Sequence, residues 1–285
     1  MISLLEVVTK SAAFLETKGV EHARLNAELL VGHALGLKRM ELYLQFERLL
    51  PERELEAIRP LIKRRSQREP LQHIVGSVEF AGIELKTDRR ALIPRPETEF
   101  LVELLGGECD ASPPACILDL GTGSGALALA LAHRWSEARV TATDVSKDAL
   151  ALARENTVAS KLEDRVTLVE SDWFAGLNAG EGFGLIVSNP PYLTRAEVEE
   201  SAVEVRGFEP SIALSTSEEG SADLLTIISE ARRFLVPGGL LAMETGIAQH
   251  PRLLEAFATA GFENNRSRQD LAGRDRFVWG NAPAG

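Results

Sequence analysis

The stretch CILDLGTGSGALALALA, residues 116–132, is the part of the sequence that indicates the fold most clearly. The apolar run from Cys116 to Leu120 predicts a buried strand, and the alanines and leucines from Ala126 to Ala132 predict the start of a helix. Between them lies a glycine-rich turn. Glycines let the backbone approach a ligand closely, and the start of a helix offers free N–H groups. The stretch therefore predicts a ligand-binding loop between a strand and a helix.

Downstream of this stretch, apolar runs and helical patterns alternate to the end of the chain. Further strands are predicted at Val140–Thr143, Val166–Val169, Leu185–Ser188 and Leu240–Glu244, and helices at Lys147–Ala159, Ala222–Leu235 and Leu253–Ala260. A final pair of strands is expected between Phe262 and Trp279. Because strands spaced by helices form parallel sheets, the predicted fold class is α/β, with a doubly wound, mostly parallel sheet.

The first quarter of the chain has a different pattern. Apolar residues recur at helical spacing from Leu4 to Leu35, and residues 1 to about 70 predict helices only. From Gln72 to Leu92 the pattern changes to alternation, which is typical of a β-hairpin. We therefore expect a small all-helical domain at residues 1–71, a connecting β-hairpin at 72–93 and the α/β domain at 94–285.

Composition narrows the class of partner. The 285 residues include 42 acidic and 31 basic side chains, which gives a formal net charge of −11. Nucleic-acid binders usually carry a basic surface, so this balance argues against direct binding of DNA or RNA. A basic cluster, Lys63–Arg65 with Arg68, is expected to be the solvated end of a helix.

Other features predict a cytoplasmic protein that has neither a membrane segment nor a metal site. The chain begins without the basic start and long apolar run of a signal peptide, and no apolar run approaches membrane-spanning length. Two cysteines suit a reducing compartment, and Cys116 is expected to be buried in its strand. The five histidines do not show the spacing of metal ligands.

The glycine-rich turn predicts an adenosine-type cofactor. Its candidate contacts are Gly121, Thr122, Gly123, Ser124 and Gly125. Asp144 ends the next strand about twenty residues later, where a carboxylate can accept both hydroxyls of a ribose. The spacing Gly121-x-Gly123-x-x-Ala126 also satisfies the dinucleotide pattern, so a nicotinamide or flavin stays open. The third glycine and the acidic Asp119 before the turn favour S-adenosylmethionine.

Asp172 and Trp173 follow the third strand of the predicted sheet. The topology places them beside an adenine, where an acid or a backbone amide could meet the base edge and the aromatic ring could cover it. The alternative is that Trp173 belongs only to the core. The residues alone leave both interpretations open.

The fourth strand runs into Asn189-Pro190-Pro191-Tyr192, at the edge of the sheet where ligands bind. The Asn189 side-chain oxygen and the Pro190 carbonyl can accept both N–H bonds of a planar nitrogen and direct its lone pair at a methyl donor. Pro190 fixes the backbone so that its carbonyl points outward, and Tyr192 offers a flat wall. The loop predicts methyl transfer to an amide or an aromatic amine, and a neutral Asn requires no strong base.

With these motifs in view, the chain resembles the HemK family, the N5-glutamine methyltransferases of class I release factors. The matching segments run from about residue 68 onward. They are Glu69–Ile74 with Gly76, Ile93–Glu99, Asp119–Gly125, Ser171–Phe174, Ser188–Tyr192 and Phe208–Pro210 with Ala213 and Leu214. The N-terminal helices resemble the family's release-factor-facing domain only in size and class.

The resemblance implies a Rossmann-like class I methyltransferase that transfers a methyl group from S-adenosyl-L-methionine to the glutamine of the Gly-Gly-Gln motif in class I peptide chain release factors. It implies cofactor contacts at Gly121–Gly125, Asp144, Trp173 and Asn189, and substrate contacts at residues 189–192. Arg95 lies in a segment that resembles the one separating release-factor enzymes from sister enzymes acting on a ribosomal protein. The helical domain is then expected to recognise the substrate.

Four alternatives stay open from the sequence. The target could be a glutamine of a ribosomal protein, or an adenine N6 amine in a nucleic acid, which would require a basic cleft. An NAD-dependent oxidoreductase would use the glycine turn but would leave the loop at 189–192 unexplained. A non-catalytic module could bind the cofactor without turnover.

Overall fold

The structure, a computed structural model, describes residues 2–178, 182–215 and 220–285. The chain divides into two compact units. The first comprises Met1–Ser77 and Ala202–Phe208, and the second comprises Val78–Ser201 and Glu209–Gly285.

The first unit is built mainly from helices. They are α1 (Leu4–Thr17), α2 (Ala23–Leu35), α3 (Arg39–Tyr43), α4 (Glu52–Ser66) and α5 (Leu71–Val75). A two-residue antiparallel pairing of β1 (Ile2–Ser3) with β2 (Leu49–Leu50) is the part that the helical prediction did not include. The side chains of Leu4, Leu15, Leu30 and Leu42 are fully buried between the helices, so the apolar periodicity of the sequence marks the core of this unit.

The basic cluster in α4 is not solvated throughout, contrary to the expectation. Arg65 is buried, and its guanidinium bonds the Asn26 side-chain oxygen at 2.8 Å and Glu204 at 2.9 Å. Arg68 pairs with the same Glu204 carboxylate at 2.6 and 2.7 Å, and Arg64 makes a bidentate pair with Glu69. The arginines of this cluster are therefore paired inside the first unit, with the carboxylates of Glu69 and Glu204 and the amide of Asn26.

The second unit alternates strands and helices after an initial hairpin. In chain order it contains β3 (Ser77–Phe80), β4 (Ile83–Lys86), α6 (Pro96–Cys109), β5 (Cys116–Leu120), α7 (Ala126–Arg134), β6 (Arg139–Asp144), α8 (Lys147–Ala159), β7 (Val166–Glu170), β8 (Phe183–Ser188), α9 (Arg195–Glu200), α11 (Ala222–Ala231), β9 (Leu235–Glu244), α12 (His250–Thr259), β10 (Glu263–Gln269) and β11 (Asp275–Asn281). Helix α10 (Val203–Phe208) lies between α9 and α11 in the chain but belongs to the first unit. Within the described ranges, no helix is long and apolar enough to cross a membrane.

Seven strands form one sheet in the order β10-β11-β9-β8-β5-β6-β7. The five strands from β9 to β7 are parallel, and β11 and β10 are antiparallel additions at one edge. The strand order reverses between β5 and β8, which pair directly. In doubly wound sheets, ligands bind outside the carboxyl ends of the strands at such a reversal. The predicted α/β class with a mostly parallel sheet is confirmed.

The central strands β5 and β8 are buried on both faces of the sheet. Ile117 and Leu185 point into one apolar cluster with α6 and α7, whereas their neighbours Leu118 and Ile186 point into another with α11 and α12. Successive strand residues face opposite sides, so runs without polar residues are what a sheet covered on both faces requires. For this reason the apolar runs of the sequence predicted strands β5 and β8.

Three local predictions were wrong. Cys116 is exposed, because it opens β5 before the strand enters the covered part of the sheet. The helix predicted up to Leu235 ends at Ala231, and Leu235 already belongs to β9. The alternation that began at Gln72 becomes a hairpin only from Ser77, since α5 precedes it and ends at Gly76 with a positive φ of 86°.

Candidate active site

A cavity of about 390 Å³ lies in the second unit at the carboxyl ends of β5, β6 and β8. Its wall contains predicted site residues from five separate segments. These are Arg95, Gly121, Thr122, Gly123, Ser124, Asp144, Asp172, Trp173, Asn189 and Pro191. Gly125, Pro190 and Tyr192 lie outside the lining. In the described parts of the chain, no group of three or more His, Cys, Asp or Glu residues could hold a metal ion.

The glycine turn gives the cavity its backbone wall. Gly121 and Gly123 have φ values of +70° and +57°, which side-chain-bearing residues rarely adopt. A Cβ on Gly121 would stand 3.5 Å from the Trp173 ring. Gly125 is the N-cap of α7, with φ of +88°, and it faces Leu129 and Ala153 rather than the cavity. The first two glycines line the cavity and the third one sets the start of the helix.

Asp119 lies beneath this turn. One of its oxygens, Oδ2, accepts bonds from the Thr122 hydroxyl at 2.6 Å and the Ala128 amide at 3.1 Å. The other oxygen, Oδ1, is buried and has no hydrogen-bond partner among the described residues, although Asp119 lines the cavity. Burial raises the pKa of this carboxyl to about 7, against the two hydrogen bonds that lower it. An unpaired buried acceptor beside a cavity favours a cationic or hydrogen-bonding ligand.

Asp144 ends β6 on the opposite side of the turn. Its carboxylate accepts the Gly123 amide at 2.9 Å and the Ser146 amide at 2.8 Å. Burial raises its pKa, and the amide bonds partly offset that effect. Each oxygen accepts one amide and keeps a further lone pair, so the side chain can still accept a ligand's hydroxyls.

The sequence left open whether Asp172 and Trp173 face a ligand or belong to the core. Both line the cavity, and Asp172 is exposed. Trp173 has a positive φ of 46° and is half-buried, with its ring between the glycine turn and the apolar cluster beneath α11. Phe174 is core only, stacked on Phe234 at 4.7 Å between ring centroids. The ring of Trp173 therefore belongs to the cavity and the core at once.

The loop at 189–192 emerges beside the glycine turn. Leu120 and Ser188 are partners in the sheet, and the Ser188 hydroxyl bonds the Leu120 carbonyl at 2.7 Å. The side-chain amide nitrogen of Asn189, Nδ2, donates to the Thr98 hydroxyl at 3.0 Å. Within the described ranges, neither the Asn189 side-chain oxygen nor the Pro190 carbonyl accepts a hydrogen bond. Two acceptors of the kind predicted from the sequence are therefore present in this loop.

Three residues at this site were not identified as site residues from the sequence. Thr98 from α6 lines the cavity and donates to Glu244 at 2.6 Å. Glu244 ends β9, is 1% exposed, and also accepts the Tyr192 hydroxyl at 3.1 Å. Arg276 from β11 lies over the Tyr192 ring, 5.6 Å from its centroid. The position of Glu244 at a strand end was the one sequence signal for this cluster.

Arg95 is tied to the loop that follows α10. It is the N-cap of α6, where Pro96 begins the helix, and its guanidinium bonds the buried Glu209 at 2.6 Å. Burial raises the pKa of Glu209, while the charge of Arg95 lowers it. The pair holds Arg95 on the cavity wall.

Comparison with protein families identifies both parts of the chain. Residues 6–76 match the family model described as the PrmC N-terminal domain. Residues 96–206 match the methyltransferase small domain.

Full-length relatives and a solved structure agree with these matches. The release factor glutamine methyltransferase of Deinococcus radiodurans is 43% identical, with 97% of this chain and 98% of that protein covered. Its counterpart in Rhodopirellula baltica is 38% identical, with 98% and 95% covered. The 16S rRNA N2 G1207 methyltransferase of T. thermophilus, solved with AdoMet and guanosine, has the same fold, with a TM-score of 0.53, 19% identity, and 72% of this chain and 49% of that chain covered. By fold and by near-full-length similarity, this chain belongs to the release factor glutamine methyltransferase family.

Proposed function

We propose that this chain transfers a methyl group from S-adenosyl-L-methionine to the side-chain amide nitrogen of the glutamine in the Gly-Gly-Gln motif of class I release factors. One observation carries the proposal: the glycine turn and the Asn189 loop leave paired strands side by side and face one cavity. A methyl donor and an acceptor nitrogen held by these two loops would be adjacent.

The cavity fits S-adenosylmethionine. Gly121 and Gly123 have no Cβ that would obstruct a ligand, and their positive φ values suit glycine. Asp144 retains acceptor capacity for ribose hydroxyls. The orphaned oxygen of Asp119 suits a cation, and the bound cofactor supplies an electrophilic methyl group on a positively charged sulfur. Trp173 closes one side with an aromatic surface of the kind that covers a purine. Asp172 and Ser124 complete the polar part of the wall.

The acceptor side fits a primary amide. The Asn189 oxygen and the Pro190 carbonyl would accept the two N–H bonds of the substrate glutamine and fix the plane of its amide. Both acceptors stabilise the positive charge that grows on the nitrogen during attack. Because Asn189 is neutral, it holds the amide without removing its proton beforehand, and the methylated nitrogen loses that proton after the transfer. Pro191 and Arg95 line the same wall and would contact the residues next to the glutamine.

We also propose the roles of the remaining parts. The helical domain, residues 1–71, would recognise the folded release factor, with residues 72–93 as the connection to the catalytic domain at 94–285. The formal charge of −11 supports a protein substrate over a nucleic acid. A cytoplasmic location, where release factors act, follows from the proposed substrate.

Labelled-methyl transfer tests the proposal. The full chain and labelled S-adenosylmethionine are incubated with four acceptors: a full-length release factor, the same factor with its motif glutamine changed to Ala, total ribosomal protein, and an RNA–DNA mixture. We expect label on the unchanged release factor only. Equal labelling of the Gln→Ala factor would refute the glutamine assignment, and labelling of ribosomal protein or nucleic acid in its place would favour those alternatives.

A further inference from the structure

The orientation of the Asn189 amide is a chemical requirement of the site. An amide has an accepting end and a donating end of almost the same shape, so a half-turn about the last side-chain bond exchanges them. If the NH₂ group faced the cavity, it would present two donors to a substrate amide that also needs to donate. Only the orientation with the oxygen toward the cavity can hold the substrate nitrogen.

A chain of hydrogen bonds with a fixed direction begins at Arg276. Its guanidinium can only donate, and it approaches the Tyr192 hydroxyl at 3.4 Å. The phenol oxygen accepts there, so its single proton is directed to Glu244, 3.1 Å away. The Tyr192 ring also lies beneath the same guanidinium. Glu244 is therefore fixed as an acceptor on one of its two oxygens.

The same direction continues through Thr98. Its hydroxyl has one proton, and the second Glu244 oxygen accepts it at 2.6 Å. Burial raises the pKa of Glu244, whereas the bonds from Thr98 and Tyr192 and the charge of Arg276 lower it and favour the carboxylate, which can only accept. The Thr98 oxygen is then left as an acceptor toward Asn189, 3.0 Å from the amide nitrogen. Asn189 must donate to it, which leaves its oxygen turned toward the cavity.

Burial makes this arrangement rigid. Glu244 and Thr98 are 1% and 5% exposed, so water cannot readily replace either partner. Arg276 is anchored separately by its bond to the Thr245 carbonyl at 3.0 Å. In a buried network each member loses a partner if one bond reverses, so a single direction is favoured throughout.

We propose that Thr98 and Glu244 are positioning residues that set the orientation of the Asn189 amide, with its oxygen toward the substrate nitrogen. This inference rests on the proposed function, because it assigns these residues to the transfer step at that site. Neither residue contacts the substrate in this account; both act through Asn189. Tyr192 and Arg276 determine the direction from the other end.

Substitutions at Thr98 separate positioning from folding. Thr98→Val keeps the shape and removes the hydroxyl, so Asn189 loses its acceptor and can turn. We expect kcat to fall roughly 10- to 100-fold, the range that misplacement of a reacting group produces, with an unchanged Kd for S-adenosylmethionine. Thr98→Ser restores the hydroxyl and should recover most of the lost rate. The matched control is Thr157→Val, at a buried threonine whose hydroxyl donates to the Ala153 carbonyl within its own helix.

Glu244→Gln tests the direction itself. The glutamine presents one acceptor and one donor where the carboxylate presents two acceptors, so Thr98 can receive a proton and donate its own to the Asn189 oxygen. We expect a loss of kcat comparable to that of Thr98→Val, although all hydrogen-bonding groups are retained. A purely structural role for Glu244 would predict little loss of rate from this isosteric change.

A readout that needs no turnover completes the experiment. In protein labelled with ¹⁵N-asparagine, the Asn189 side-chain NH₂ signals, assigned with Asn189→Ala, should shift in Thr98→Val and Glu244→Gln but stay near their wild-type positions in Thr98→Ser and Thr157→Val. Unchanged signals with kcat within twofold of wild type in both Thr98→Val and Glu244→Gln would overturn the inference. If the wild-type chain itself fails to methylate release factor, it is the proposed function that fails.

Discussion

The proposed methyl transfer relies on two acceptors in the loop at 189–192, and one of them, the side-chain oxygen of Asn189, accepts no hydrogen bond from any described residue. The nitrogen of the same side-chain amide donates to the Thr98 hydroxyl. A neutral acceptor at this place can bind an amide and stabilise the charge formed during attack, without acting as a base. The site therefore suits a poor nucleophile such as glutamine.

Replacing Asn189 by Ala should remove most of the activity and little of the fold. Loss of one transition-state hydrogen-bonding group lowers kcat by about 100- to 1,000-fold in comparable enzymes. We expect a decrease of that order in methyl transfer to release factor, with circular dichroism unchanged. Asn281→Ala, outside the cavity, serves as the control. A decrease of less than tenfold at Asn189 would mean that the side chain does not hold the reacting amide.

The buried Asp119 predicts a pH dependence of stability in the cofactor-free protein. Its pKa is about 7 in the fold, raised by burial from an ordinary value of 3.8. The folded state therefore keeps a proton that the unfolded chain releases. The contribution of Asp119 to the free energy of unfolding is therefore complete below about pH 4 and is lost as the pH rises toward 7.

Urea unfolding of wild type and Asp119→Asn at a series of pH values measures this contribution. The wild-type free energy of unfolding should decrease between pH 5 and pH 8 by on the order of a few kcal/mol more than that of the variant, since each pKa unit corresponds to about 1.4 kcal/mol. Identical slopes in the two proteins would contradict the raised pKa.

Single residues differ in how far the sequence could reveal them. Asn189 and Asp144 follow strands at recognisable positions, and both line the cavity as their positions suggested. Thr98 stands 91 residues before its partner Asn189 and 146 before Glu244. Such contacts depend on the packing of α6 against the end of the sheet, which no local pattern specifies. The cluster around Glu244 became visible only with the fold.

The turn from β5 to α7 contains glycines with positive φ that also line the cavity. Gly121→Ala places a side chain at φ of +70°, which costs about 1–2 kcal/mol, and its Cβ points at Trp173 across the cavity wall. We expect affinity for S-adenosylmethionine to fall about 5- to 30-fold if that cost is borne by the bound form.

Isothermal titration calorimetry with S-adenosylmethionine measures this effect. Gly107→Ala is the matched control, because this glycine lies in α6 without a positive φ and with open space around its Cβ position. We expect the control to bind normally and to be slightly more stable, by about 0.5–1 kcal/mol. Equal affinity in both variants would show that the turn does not carry the cofactor.

Element types were more predictable than element limits. Strands β5 and β8 are apolar runs because both faces of the sheet are covered there. All five parallel strands were located, although β9 begins at Leu235, five residues before the predicted start at Leu240. The end of α11 was misplaced because Phe234 and Leu235 continue the apolar pattern while the backbone already turns into β9. An apolar side chain is compatible with either element, so tertiary packing decides the limit.

For the whole molecule, the segment Ala202–Phe208 is notable because it belongs to the first unit while its flanking residues belong to the second. Glu204 in this segment receives both Arg65 and Arg68. Arg65 is buried, so its charge needs these partners. The apparent surface cluster of the sequence is thus an internal part of the first unit.

Glu204→Ala should weaken the attachment of this segment. A hydrogen bond to a charged group contributes about 1.5–3 kcal/mol. The side chains of Glu204 and Arg68 are partly exposed, so water replaces part of what the three lost bonds contribute, and Arg65 keeps its bond to Asn26. We expect a lower free energy of unfolding, by about 2 kcal/mol, and faster amide hydrogen exchange in residues 202–208. The exposed Glu200→Ala, in neighbouring helix α9, should change stability by less than about 0.5 kcal/mol. Unaltered exchange in Glu204→Ala would contradict the role of the ion pairs.

The most direct test of the central claim is the position of the methyl group in the product. Release factor methylated by the full chain is digested, and the peptide with the Gly-Gly-Gln motif is fragmented by tandem mass spectrometry. We expect one added methyl group on the side-chain nitrogen of that glutamine. A methyl group on any other residue, or an unmodified motif peptide after complete reaction, would contradict it.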